Sequence, residues 1–218
     1  MNQLDYQNRD DVHKETGILR SLFGPSKREV WGQLAEQVGG TLVQGGFFGR
    51  DKVVAATDQW TVTLDTYTVS TGKSSATYTR LRAPYVNKDN FRFSIYRASF
   101  FTAIGEALGF HDMQIGDPAF DEEFVIKGNS DEKIRALLSD PKIKALMRAE
   151  PRLNVQVKDD EGWFGTRFPE GVDELYFVTG GVVKDIDRLA GLFELFSATL
   201  HRLCHIGSAY ENDPGIVL

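Results

Sequence analysis

Residues 59 to 69 alternate in strict period two: Trp60, Val62 and Leu64 fall on one side, Thr61, Thr63 and Asp65 on the other. Only an extended chain sends successive side chains to opposite faces, so this stretch reads as a half-buried strand. A strand alone leaves its backbone groups unpaired, so the chain around it must supply a sheet. Further strands are expected at 41–43, 52–56, 76–84, 91–97, 113–115, 122–127, 154–158, 164–168 and 174–179, separated by turn residues such as Ser70-Thr71-Gly72-Lys73-Ser74 and Asp117-Pro118.

Helices are punctuated by caps. Ser26 and Glu29 have capping-box spacing ahead of Val30, Trp31, Leu34, Ala35 and Val38, and Gly39-Gly40 closes that helix. Asn129 and Glu132 repeat the spacing before Ile134, Leu137 and Leu138. Asp140-Pro141 ends that helix and starts another, with Asp140 as cap and Pro141 in the first turn. A short helix is expected at 99–108. The longest runs from about Lys184 to His205, and Leu189, Leu192, Phe193, Phe196, Leu200 and Leu203 give it a wide apolar face. Tight turns between strands, with helices set between runs of strands, predict an α+β fold: an antiparallel β-sheet packed against several helices, one long helix last. Residues 1–25 read as an N-terminal arm, 26–210 as a single domain with a subdivision point near 110, and 211–218 as a tail.

Fifteen Phe and three Trp supply material for a core. The lone cysteine, Cys204, excludes a disulfide framework within one chain and fits a reducing cytoplasm. No secretory signal and no run of apolar residues long enough for a membrane span is read, so the expected location is cytoplasmic and no membrane insertion is expected. A net charge of −6 argues against a general DNA binder. The charge is uneven, however. Between Lys73 and Arg97 stand Lys73, Arg80, Arg82, Lys88, Arg92 and Arg97 against Asp89, giving +5 there and −11 elsewhere. The sequence predicts that 77–84 and 91–97 pair as a basic hairpin across Asn87-Lys88-Asp89-Asn90, with Arg80, Arg82, Arg92 and Tyr96 as its binding residues. Arginine forks suit the paired oxygens of phosphate or carboxylate. The competing reading is a solvated face, or arginines paired internally with Asp65, Asp121 and Glu123.

Other motifs are weaker. Gly72-Lys73-Ser74 lacks the glycine a P-loop needs five residues earlier, where Tyr67 stands, and a strand rather than a helix follows it. The loop Gly45-Gly46-Phe47-Phe48-Gly49-Arg50 has the glycines for close approach to a phosphate and a charge in Arg50, without a fingerprint spacing. His201 and His205 lie one turn apart on the last helix, a metal-ligand spacing that needs a third donor such as His111 or His13; the alternative is a solvated helix end. Cys204 between them reads as packing. Asp121 and Glu123 are expected on one strand face.

Three stretches, Tyr78-Thr79-Arg80-Leu81-Arg82-Ala83-Pro84, Phe120 to Gly128 and Leu137-Leu138-Ser139-Asp140-Pro141, resemble a family of conserved bacterial proteins of unknown function over roughly residues 75–210. The resemblance implies strand–helix units and carries no activity or residue role. No catalytic motif is recognised, and no cofactor is expected. The leading expectation is a non-enzymatic binding or assembly module that uses the basic hairpin toward a protein or an anionic ligand, with homo-oligomerisation compatible. The alternative is a small-molecule-binding or enzymatic fold with an apolar cavity closed by the last helix.

Overall fold

Ser26 starts the first helix as its spacing predicts. Its hydroxyl accepts from the Glu29 backbone N–H at 3.2 Å, and the Glu29 carboxylate accepts from the Ser26 N–H at 2.9 Å. The helix, α1 (Lys27–Gln37), stops where Gly39 takes φ +65° and the Gly40 N–H reaches back to the Ala35 carbonyl at 2.7 Å. Glycine is required at position 40 for a second reason: a Cβ there would meet the Val54 carbonyl oxygen at 2.7 Å. These details come from a computed structural model that describes residues 24–46, 50–99, 110–159 and 167–218.

The elements that follow are β1 (Thr41–Val43), β2 (Lys52–Thr57), β3 (Trp60–Ser70), β4 (Ser75–Val86), β5 (Phe93–Arg97), β6 (His111–Met113), α2 (Pro118–Glu123), β7 (Phe124–Gly128), α3 (Asp131–Leu138), α4 (Pro141–Ala149), β8 (Asn154–Lys158), β9 (Val172–Gly180) and α5 (Ile186–His205). The strands form one nine-stranded sheet in the order β1-β2-β3-β4-β9-β8-β5-β7-β6, every neighbouring pair antiparallel. The fold is α+β, as expected. Gly72-Lys73-Ser74 lies in the turn between β3 and β4, where the Thr71 N–H donates to the Ser74 carbonyl at 2.9 Å.

Three local expectations are corrected. The predicted basic hairpin does not form: β4 pairs with β3 and β9, β5 pairs with β7 and β8, and two strands lie between them. The pairing of β4 with β9 sets the path, and Asn87 fixes the crossing. Its amide donates to Asp173 at the start of β9 at 2.5 Å and to the Phe91 carbonyl at 3.1 Å, so the polar segment 87–90 carries the chain across the ends of β9 and β8 instead of reversing it. Second, the turn expected at Asp117-Pro118 opens a helix over Pro118–Glu123, so the strand expected from Glu122 begins at Phe124; Asp117 caps the Phe120 N–H and Pro118 occupies the first turn. Asp121 therefore shares no strand face with Glu123; its carboxylate binds the Ile115 and Gly116 N–H groups. Third, Ser130 rather than Asn129 caps α3, and Asn129 instead accepts from the Arg92 N–H at 3.0 Å. The strand expected at 164–168 and the helix expected at 99–108 fall largely outside the described residues, as does most of the expected arm at 1–25.

The hydrophobic core joins one face of the sheet (Val53, Ala55, Val62, Leu64, Leu81, Ala83, Ile95, Val155, Leu175, Phe177) to buried residues of each described helix. Helix α5 lies on this core: Leu189, Phe196, Leu200 and Leu203 are fully buried, as are Trp31, Trp60 and Phe177 of the same cluster. Trp31 also donates its indole N–H to the Val183 carbonyl at 3.1 Å. The far face of the sheet is of another kind. Strand alternation and register place Thr63, Asp65 and Tyr67 of β3, Tyr78, Arg80 and Arg82 of β4, Glu174, Tyr176 and Val178 of β9, Gln156 and Lys158 of β8, and Ser94 and Tyr96 of β5 there. Tyr96, Tyr176 and Val178 are buried yet stand outside the core cluster, consistent with a separate, polar layer.

Candidate functional site

The β2–β3 hairpin turns through Asp58 and Gln59, with Thr57 opposite Trp60 and Val53 opposite Leu64. One step further along this register, Lys52 faces Asp65. The β3–β4 register sets Arg80 directly across from Asp65 and Arg82 across from Thr63. Three consecutive strands thus deliver Lys52, Asp65, Arg80 and Arg82 to one region of the far face. Arg50, just before β2, donates to the Thr66 carbonyl at 3.0 Å and closes the group.

These residues line a cavity of about 370 Å³, bordered by Arg50, Lys52, Asp65, Thr66, Tyr67, Arg80, Arg82 and Leu218. Asp65 organises it. Its carboxylate accepts from Arg80 Nε at 2.6 Å, Arg80 Nη2 at 3.1 Å and Arg82 Nη2 at 2.7 Å. Arg82 is only 3% exposed. Among the described side chains of this lining, four cations stand against one carboxylate. Lys27 of α1 adds to the local positive field: its ammonium donates to Thr66 Oγ1 at 3.1 Å. Burial holds the Lys27 pKa below its ordinary value; Asp51 and Asp65 act against that, while Arg50 adds to it.

Tyr67 is the aromatic residue of the described lining, and further rings lie next to it on the far face. Tyr67 and Tyr78 stack with centroids 5.2 Å apart, and the Arg80 guanidinium lies 5.2 Å from the Tyr67 ring. Burial pushes the Tyr67 phenol above its ordinary pKa, with a hydrogen bond from Tyr176 and the Arg80 charge working in the opposite direction. Burial likewise raises Tyr176 far above the ordinary tyrosine range. Lys158 sits 3.5 Å above the Tyr176 ring. The amide nitrogen of Gln156, on the same face, has no hydrogen-bond partner among the described residues.

Of the residues singled out by sequence, Arg80 and Arg82 come together on Asp65, the internal partner anticipated for them. Arg92 does not join them: it binds Asp173 through Nε and Nη2 at 3.1 Å each and Asp159 through Nη1 at 2.6 Å. Tyr96 shares the far face with Arg80 and Arg82 but stands three strands from β4, about 14 Å at ordinary strand spacing. Arg50, read as a phosphate-facing charge in its glycine loop, lines the cavity; residues 47–49 of that loop lie outside the described residues. Lys52 and Leu218 went unread, although the two-residue turn at Asp58-Gln59 sets a register that puts Lys52 opposite Asp65.

His201 and His205 border another cavity, of about 550 Å³, with Asp140, Lys142, Arg202, Cys204 and Glu211. His201 Nε2 pairs with Asp58 at 2.6 Å, and its ring meets Trp60 edge-on at 5.2 Å. His111 sits on β6 beside Asp131, and His13 lies outside the described residues. Among the described residues, no three His, Cys, Asp or Glu side chains converge as a metal centre requires. Burial pushes the Cys204 thiol up to about 11, and it packs against the core as its sequence neighbours imply.

No protein-family model and no curated protein matches this chain. Among solved structures, the crystal structure of the mycobacterial trehalose monomycolate transport factor A aligns with a TM-score of 0.47 at 8% identity, over 81% of this chain and 94% of that one. At that level the likeness carries no functional argument. Among the described residues no helix is long and apolar enough to cross a membrane. Fold and site together define an α+β protein with a cationic pocket on the far face of its sheet.

Proposed function

We propose that this protein is a non-catalytic binding module whose ligand presents a phosphate or carboxylate to the pocket of Arg50, Lys52, Arg80 and Arg82. The observation that carries the reading is the composition of that pocket, four cationic side chains around one organising carboxylate. Asp65 holds two guanidinium groups in fixed orientation, so little freedom is lost when an anion arrives. Guanidinium forks match paired oxygens, and Lys52 adds a point charge. A cavity of about 370 Å³ suits a small anionic group. The lining offers no cysteine, histidine or serine nucleophile, and its one acid is bound to arginine, which favours holding over chemistry. In this reading the basic strand β4 acts with β2 and β3 rather than with β5.

Isothermal titration calorimetry with inorganic phosphate tests this reading. The native chain is expected to show saturable binding that weakens with added salt. The full chain carrying Arg50→Ala and Lys52→Ala is expected to lose at least about tenfold in affinity, ~1.4 kcal/mol, with unchanged circular dichroism. Equal affinity in the two proteins would overturn it.

A further inference from the structure

The cationic pocket has an occupant built into the chain. Beyond α5 the backbone turns at Gly207 (φ +75°), pairs Ala209 with Asn87 and donates from the Tyr210 N–H to the Val86 carbonyl at 3.2 Å. Helix α5 lies on the core face, whereas the following residues touch the far face. Segment 210–218 therefore wraps round the end of the sheet. Asp213 accepts from Thr61 Oγ1 at 2.8 Å and from the Gly215 N–H at 2.6 Å. From there the segment runs beside β2 and β3 until Lys52 Nζ donates to the Leu218 carbonyl oxygen.

Its packing is that of a strap. Ile216 and Leu218 are half-buried, while Val217 between them is 89% exposed. Between it and the strands opens a void of about 240 Å³, bordered by Val54, Thr61 and Thr63 on the sheet and by Asp213 and residues 215–218 on the segment, the exposed Val217 included. Lys52 and Leu218 line both this void and the cationic pocket, so their contact is the partition between the two. The strap's oxygen thus occupies a cation that the pocket would offer to an anion. A segment with few side-chain bonds, a void below it and an exposed outer face belongs to the low-stability end of a structure.

Resting on the anion-binding reading, we propose that segment 210–218 is a displaceable strap that competes with the ligand for Lys52 and so sets the affinity of the pocket. An anion reaching Lys52 takes the hydrogen bond now made to Leu218, and the strap lifts from β2 and β3. Free energy spent on lifting it is subtracted from binding, so the observed affinity falls by the fraction of molecules whose strap is closed.

The test uses the full chain with Asp213→Ala, which removes the bonds to Thr61 and Gly215 and leaves Arg50, Lys52, Arg80 and Arg82 unaltered. Phosphate affinity by calorimetry is expected to rise at least about fivefold, the lower end of ordinary coupling energies. In the native chain, amide hydrogen exchange at residues 215–218 is expected to quicken when phosphate is added. Unchanged affinity in the Asp213→Ala chain, with phosphate binding that still depends on Arg50 and Lys52, overturns the strap and leaves the binding reading intact. Weaker binding in that chain also overturns it, since the strap would then belong to the site. No phosphate binding to either chain overturns both readings.

Discussion

Replacing Asp65 by asparagine separates the two roles the structure gives this carboxylate. Asparagine keeps the volume but loses the charge and one acceptor oxygen, while Asp65 takes bonds from Arg80 at 2.6 and 3.1 Å and from Arg82 at 2.7 Å. Removing one partner of a buried ion pair costs about 3–5 kcal/mol, chiefly by stranding the other charge. The Arg80 side chain is 21% exposed and can turn toward water, whereas that of Arg82 is 3% exposed and cannot. The low end, about 3 kcal/mol, therefore applies. For a chain of this size that corresponds to a fall of roughly 6–12 °C in melting temperature. Phosphate affinity should move the opposite way, since the negative charge in the cavity wall has gone. Thermal denaturation and calorimetry on one preparation read both effects. A destabilised protein that binds phosphate more tightly supports the account. A melting temperature equal to that of the native chain, or weaker phosphate binding in a folded variant, refutes the reasoning.

Further expectations follow from contacts away from the pocket. Arg92→Ala leaves the buried Asp173 carboxylate with the Asn87 amide but without its guanidinium partner, and should lower stability by about 3 kcal/mol in denaturant melts while leaving phosphate affinity unchanged. Glu150 is 3% exposed and holds Arg188 at 2.7 and 2.8 Å, so Glu150→Gln should cost about 3 kcal/mol in the same assay. Gln156→Met replaces a buried amide whose nitrogen has no partner among the described residues and should raise the melting temperature by a few degrees. With the Cys204 thiol pushed up to about 11, its thiolate fraction is about a thousandth at pH 8. Because a more basic thiolate is also more nucleophilic, iodoacetamide should alkylate it about tenfold more slowly than a free thiol with a pKa near 8.5.

Much of the fold was legible because its signals are local. The alternation of Trp60 to Asp65, the Ser26–Glu29 box and the Asp140-Pro141 junction each act within a few residues, and each stands where expected. Asp117-Pro118 carries the same cap-then-proline signal as Asp140-Pro141 and was readable as the start of α2. The failed hairpin had no local sign. Asn87-Lys88-Asp89-Asn90 has good turn chemistry, and only the pairing of β4 with β9, from far along the chain, decides that it spans two strands. The site was half legible for the same reason. Arg50, Arg80 and Arg82 were visible as charges and Asp65 as a partner, but gathering them with Lys52 needs the registers of two hairpins. Leu218 reaches the pocket only because the chain beyond α5 rounds the end of the sheet, which no spacing encodes.

The central claim, that the far-face pocket binds an anion, is tested most directly by following backbone and arginine side-chain N–H resonances during a titration with inorganic phosphate. The account predicts saturable shifts that cluster at Arg50, Lys52, Thr66, Tyr67, Arg80 and Arg82, with Arg92 and His201 unmoved. Shifts that are absent, spread over the whole surface, or centred on the cavity beside His201 would contradict it.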